Sequence, residues 1–309
     1  WHPEIISPAA SKSSVLVLGG GPAGLEATLA LSNRGYNVTL AEASSELGGR
    51  VLLESRMPGL GEWKRVADYR TYLISQKSNV ETFVNSCLDA SEVLEFGFEH
   101  VLLATGSMWR SDGIGRSIFH PLKSTHDTKL ISADHILYGQ NVKGTVVVFD
   151  DEHYYMGSVI AEQLRDQGHD VTLVTTSSMV AEWTEKTLEQ RRIQKRLLEK
   201  SVKIICSHTL SEIGDGEVTL SCTYTGDTRT ITADTVIPIS TRTPNTNVYD
   251  ALIKRTVEFE DFGVKSVTHI GDCKAPGTIA MAVYAGHQYA RELDTIIPDI
   301  PFKRENYQP

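Results

Sequence analysis

Residues 14–42 hold a strand, a glycine turn, a helix, a second strand and an acid, a succession that few folds can accommodate. Ser14–Leu18 is a short, β-branched apolar run that ends in glycines, as a buried parallel strand does. Residues 25–34 read as a helix closed by Gly35, and Asn37–Ala41 as the second strand. The turn between them, Gly19-Gly20-Gly21-Pro22-Ala23-Gly24, fits the pattern G-x-G-x-x-G. Alone that pattern is weak. After a strand, opening a helix, and with Glu42 closing the next strand, it becomes a strong signal for a dinucleotide site.

The residue types follow from the chemistry. Gly19 permits a tight turn, Gly21 lets the backbone approach a pyrophosphate, and Gly24 lets helix and strand pack closely. The helix end offers free N–H groups and the positive end of a dipole to phosphates. Glu42 is placed to accept from ribose hydroxyls, and its charge would repel a 2′-phosphate. Thr28 is a blemish, since a smaller residue usually faces the sheet there. A glycine turn without ligand is the plain alternative, and the surrounding context favours the nucleotide.

The same wording returns later. Residues 145–149 (TVVVF) form a strand, 158–167 a helix, Gly168 its stop, and 170–174 (DVTLV) a strand. Gly35-Tyr36-Asn37-Val38-Thr39-Leu40 and Gly168-His169-Asp170-Val171-Thr172-Leu173 are two copies of one βαβ unit, too far apart for a solenoid. Aligning the stops pairs Gly157 with Gly24 and Asp150 with Gly19, and the second loop is longer. Asp150, Asp151 and Glu152 stand where a pyrophosphate would lie, and Thr175 replaces Glu42. This copy is expected to bind NADH or NADPH poorly. A divalent metal on those carboxylates lacks a spaced ligand set, so the loop is expected to be solvated, with no metal site.

At 309 residues the chain is long enough for two domains, each with a core. A net charge of -9 argues against nucleic acid or an anionic membrane as partner, and no apolar run is long enough for a transmembrane helix. Cys87, Cys206, Cys222 and Cys273 form no close pair, which argues against disulfides and cysteine-ligated metal and points to a reducing, cytoplasmic compartment. Trp1-His2-Pro3-Glu4 carries no initiator Met and no leader features, and reads as a cut within a longer protein or a processed end.

Between the copies lie a strand at 100–104 and a polar connection over 107–126. After them come a charged helix at 187–200, a β-rich stretch with turns at Gly214-Asp215-Gly216 and Gly226-Asp227, a helix at 278–293 and a proline-bearing arm at 298–309. Cys273 reads as packing rather than a redox thiol, and His153 and His208 lack partners for acid–base work. Arg191, Arg192, Lys195 and Arg196, interspersed with Glu185, Glu189 and Glu199, read as a solvated helix face rather than a docking patch.

Several segments together resemble the C-terminal half of the trimethylamine dehydrogenase family, which includes dimethylamine and histamine dehydrogenases and, more distantly, 2,4-dienoyl-CoA reductase. They are Trp1-His2-Pro3-Glu4, Pro58-Gly59-Leu60-Gly61-Glu62-Trp63, the glycine-poor second loop with Tyr155-Met156, Ala104-Thr105-Gly106, Gly271-Asp272 with Ala275-Pro276, and Ile300-Pro301-Phe302-Lys303-Arg304-Glu305. The resemblance implies an α/β fold of two Rossmann-like domains, the second inserted into the first. Residues 1–126 and 246–309 would bind the adenine nucleotide, and 127–245 would be a degenerate NAD(P)-type domain. It also implies ADP or FAD held by Gly19, Gly21, Pro22, Ala23, Gly24, Glu42, Ala43, Gly49, Arg50, Ala104, Thr105, Gly106, Gly271 and Asp272. Asp272 would meet a ribityl chain if FAD is bound, and would cap the helix near Thr278 if only ADP is bound. Thr241-Arg242-Thr243-Pro244-Asn245 is similar to the G-R-x-P-N segment of related reductases, with Thr241 in place of the glycine.

In that family FMN and a 4Fe-4S cluster sit on an N-terminal barrel, and electrons pass to an electron-transferring flavoprotein. The expected role is therefore a nucleotide-binding module of an amine or betaine dehydrogenase, without catalytic residues of its own. Its partners would be that barrel, in the same or a partner chain, and the flavoprotein acceptor. Two alternatives stand beside it: an autonomous FAD-dependent NAD(P)H oxidoreductase, and a non-catalytic interaction domain with a vestigial site.

Overall fold

The computed structural model describes residues 7–124 and 128–295. Trp1-His2-Pro3-Glu4, His126, the expected arm at 298–309 and the segment 300–305 lie outside the described residues. The chain divides into two compact units. The first comprises residues 1–49, 66–105 and 246–309, and the second comprises 50–65 and 106–245.

In the first unit five parallel strands form one sheet, in the order Ser266–His269, His100–Leu103, Ser14–Leu18, Asn37–Ala41, Val80–Phe83. The register runs Ser14 to Asn37 through Leu18 to Ala41, and Val15 to His100 through Leu18 to Leu103. The two central strands are buried almost throughout, as runs such as VLVL and HVLL require when both faces of a sheet are covered. The helix Pro22–Arg34 begins with proline at its first position and ends at Gly35, whose φ of 99° closes it in the left-handed conformation. It packs against the C-terminal helix Ile279–Glu292.

The second unit repeats the architecture. Its sheet runs Lys129–Leu130, Thr235–Ile239, Val146–Asp150, Val171–Thr175, Lys203–Ile205, all parallel. A separate three-stranded antiparallel sheet, His208–Ile213, Glu217–Cys222 and Thr228–Thr232, carries the turns expected at Gly216 and Gly226. The chain is thus α/β with two Rossmann-type units, the second interrupting the first.

Three expectations need correction. The boundary lies at Gly106 rather than near residue 126, because Ser107–Trp109 pairs with Arg242–Pro244 of the second unit. Residues 50–65 also join the second unit, since Met57 and Leu60 are buried in its core beside Val159 and Ile160. The charged helix spans Gln190–Glu199, shorter than 187–200, because a 3₁₀ turn over Glu182–Glu185 and a left-handed Leu188 (φ 63°) precede it.

Candidate functional site

The glycine turn sits at the carboxyl ends of the first unit's central strands. Gly19 has a φ of +103°, and a Cβ there would stand 2.5 Å from the Ala104 carbonyl oxygen. A Cβ on Gly24 would collide with the Gly19 carbonyl oxygen. Turn, helix and neighbouring strand therefore touch through backbone alone, as close packing at these two positions demands. Gly21 differs: a Cβ there would meet nothing within 4 Å. It is the N-cap of the helix and brings no side-chain cap, so the free N–H groups of Ala23 and Gly24 are open to an external acceptor.

Glu42 closes the second strand. Its Oε2 accepts from Gly20 N at 2.6 Å and its Oε1 from Ser44 N at 2.7 Å. The carboxylate is held rigidly beside the turn, and each oxygen keeps a further lone pair. Ala43, next along, is exposed. Gly48 N donates to Gly20 O at 2.8 Å, and a Cβ on Gly49 would lie 3.0 Å from Gly21 Cα, so this segment folds over the turn. Gly20 and Leu47 were missed by sequence reasoning, yet a Cβ on Gly20 would lie 2.6 Å from Leu47 Cδ2. Thr28, the expected blemish, is fully buried, and its Oγ1 has no hydrogen-bond partner among the described residues.

The remaining first-unit residues gather nearby. Ala104 N donates to Leu18 O, and Thr105 Oγ1 donates to Cys273 Sγ at 3.0 Å. Cys273 is fully buried, and burial raises its thiol pKa. Gly271 approaches Ala23, where an added Cβ would sit 2.8 Å from the alanine methyl. Asp272 Oδ1 accepts from Gly277 N at 2.9 Å. The helix after it is capped by Thr278, which accepts from Met281 N, so Asp272 is not its cap. Asp272 lies too far ahead of the first turn and instead closes the Gly271–Gly277 loop.

Arg50 and Gly106 belong to the second unit. The Arg50 guanidinium binds Asp134 Oδ1 at 2.8 Å and the Ser107 carbonyl, and Gly106 O accepts from Asn245 N at 2.9 Å.

The corresponding turn of the second unit is filled. Asp150 and Asp151 have no exposed surface, which overturns the expected solvated loop. Asp151 Oδ2 accepts from Arg116 N at 2.6 Å and Ser117 N at 2.9 Å, so a distant loop supplies the donors that water would otherwise provide. Asp150 Oδ1 accepts from His153 N at 2.9 Å, while its Oδ2 is buried without a partner among the described residues. Burial first, then the charges of Glu152 and Asp151, push the Asp150 carboxyl up to about 7. A Cβ on Gly157 would stand 2.6 Å from Asp150 Cγ, so the aspartate fills the corner between strand and helix. Burial also raises Glu152, against the pull of Arg242, Arg116 and Arg50. His153, held at φ 66°, shares hydrogen bonds with Thr175 and Thr176, and burial lowers its pKa. The described residues contain no group of three or more ligands suited to a metal ion, and no helix among them is long and apolar enough to cross a membrane.

Known proteins agree with this architecture. Residues 13–288 match the pyridine nucleotide-disulphide oxidoreductase family. Dimethylamine dehydrogenase from Hyphomicrobium sp. (strain x) is 30% identical over 99% of this chain and 45% of its own length. The structure of histamine dehydrogenase from Rhizobium sp. 4-9 superposes with a TM-score of 0.95 and 48% identity, over 100% of this chain and 48% of that one. That of 6-hydroxypseudooxynicotine amine oxidase from Pseudomonas geniculata N1 gives 0.90 and 37%, over 96% and 44%. The chain spans a little under half the length of each of these relatives. With its glycine turn, its inserted second unit and a match from residue 13 to 288, the chain belongs to the pyridine nucleotide-disulphide oxidoreductase family, and over its length it is similar to dimethylamine and histamine dehydrogenases.

Proposed function

We propose that the first unit binds the adenine nucleotide of ADP or FAD and that the second unit takes no NADH or NADPH. One observation carries the reading: the first turn is bare of side chains and open at Gly21, whereas the second is occupied by Asp150 and Asp151. In this proposal Gly19, Gly21, Pro22, Ala23 and Gly24 surround the diphosphate, and the N–H groups of Ala23 and Gly24 donate to it. Glu42 and Ala43 lie beside the adenosine ribose, with Glu42 discriminating against a 2′-phosphate. Gly49, Ala104, Thr105, Gly271 and Asp272 line the rest of the path. Arg50 and Gly106, borne by the second unit, enter only through the family resemblance. FAD at this place would supply hydride and one-electron chemistry, and ADP would supply none.

At the level of the whole protein we infer a nucleotide-binding module that supports electron transfer in a flavin and iron–sulfur amine dehydrogenase. A partner half would carry FMN and a 4Fe-4S cluster, with an electron-transferring flavoprotein as acceptor. The basis is the likeness to dimethylamine and histamine dehydrogenases over nearly the whole chain. The second reading, an autonomous FAD-dependent NAD(P)H oxidoreductase, is favoured by the family match alone.

Mass spectrometry of whatever the purified chain releases on denaturation tests these readings. ADP or FAD, from protein that NADH does not bleach, is the expected result. Yellow protein bleached by NADH would establish the second reading. No released nucleotide and no thermal shift with ADP or FAD would leave the site vestigial and both readings wrong.

A further inference from the structure

An acid on a phosphate-binding helix is out of place unless its charge is answered. Glu26 lies four residues after Pro22, one turn or about 6 Å along the helix axis from the glycine turn. Its side chain is only 13% exposed, and two other helices converge on it. Arg70 Nε, from the helix Arg65–Ser75, donates to Glu26 Oε2 at 2.6 Å and is 15% exposed. His287 Nδ1, from the helix Ile279–Glu292, lies 2.8 Å from Glu26 Oε1. The preceding residue, Gly286, is pressed so closely on the glycine-turn helix that an added Cβ would collide with Ala23 O and lie 3.1 Å from Glu26 Cβ. The cluster therefore sits directly behind the first turn of the helix.

We propose that Arg70 neutralises Glu26 for the sake of the nucleotide, making Arg70 a positioning and charge-balancing residue for the diphosphate. The inference rests on the adenine-nucleotide reading of this turn. Without Arg70, and with only His287 beside it, a carboxylate at this depth, poorly screened by water, would oppose a diphosphate while leaving an uncharged nucleoside indifferent. A cluster that merely held the helices together would treat the two ligands alike.

Calorimetry on the full chain with ADP and with adenosine separates these roles. Arg70→Gln is expected to weaken ADP about tenfold and adenosine less than about twofold. Glu26→Gln, which keeps an acceptor for Arg70 but removes the opposing charge, is expected to tighten ADP about threefold or more. The double variant should return ADP to near the wild-type value. Equal losses for both ligands in Arg70→Gln, or weaker ADP binding in Glu26→Gln, would overturn the proposal. Because the two single variants predict opposite signs, either one suffices if the other fails to melt cooperatively. Wild-type protein with no affinity for ADP would remove the underlying reading instead, and the proposal with it.

Discussion

After its first strand the first unit has Gly19, with a φ of +103° and only backbone around it, while the matching strand of the second unit ends in Asp150, whose side chain fills the corner beside Gly157. Elsewhere the two units solve the same problem alike. Each joins strand to helix through a glycine in tight contact, Gly24 or Gly157. Each ends its second strand with a side chain that accepts from the backbone N–H two residues on, Glu42 from Ser44 and Thr175 from Ser177. Sheet and helix survive the exchange of glycine for carboxylate, because Asp150 accepts from His153 N while burial favours its uncharged form, and the neighbouring Asp151 is satisfied by the N–H groups of Arg116 and Ser117. Ligand space does not survive it. The fold needs the close approach, whereas binding needs the absence of side chains.

Substitutions at the two turns sharpen or break this contrast. The largest effect is expected from Gly24→Val, whose side chain would be driven into the Gly19 carbonyl: a loss of about 3 kcal/mol or more in stability by urea unfolding, with ADP binding abolished. Gly21→Val separates fold from binding. A Cβ there meets nothing within 4 Å, so the unliganded thermal midpoint should stay within about 2 °C while ADP affinity falls about 100-fold, near 3 kcal/mol. A large drop in the midpoint would mean that the space at Gly21 belongs to the fold.

Asp150→Asn probes the filled turn. The Asp150 carboxyl, raised to about 7, stays protonated in the native state while the unfolded chain ionises near pH 4, so wild-type stability falls as pH rises from about 4 to 7. The amide removes that loss. The variant should gain about 1.4 kcal/mol over wild type for each pH unit between about pH 4 and 7, with the difference vanishing below about pH 4. A gain independent of pH would contradict the assignment. The smallest effect belongs to Glu42→Gln, expected to weaken ADP by about 1 kcal/mol and to narrow the preference over adenosine 2′,5′-bisphosphate in competition binding.

The glycine turn, the repeat and the central strands were legible in the sequence because they depend on local pattern. Ser14–Leu18 and Asn37–Ala41 form as read, since strand periodicity and turn glycines suffice to define them. The burial of Asp151 was not legible, because its partners Arg116 and Ser117 come from a connection that looked merely polar. The placement of residues 50–65 was hidden for a similar reason: Met57 and Leu60 are ordinary apolar residues until a core is built for them. The cluster of Glu26, Arg70 and His287 likewise joins segments that only the tertiary structure brings together.

Titration of the nucleotide-stripped chain, first with ADP and then, once saturated, with NADH, addresses the contrast most directly. The account predicts one ADP per chain and no further heat from NADH. A stoichiometric NADH isotherm on ADP-saturated protein, or no ADP isotherm at all, would contradict it.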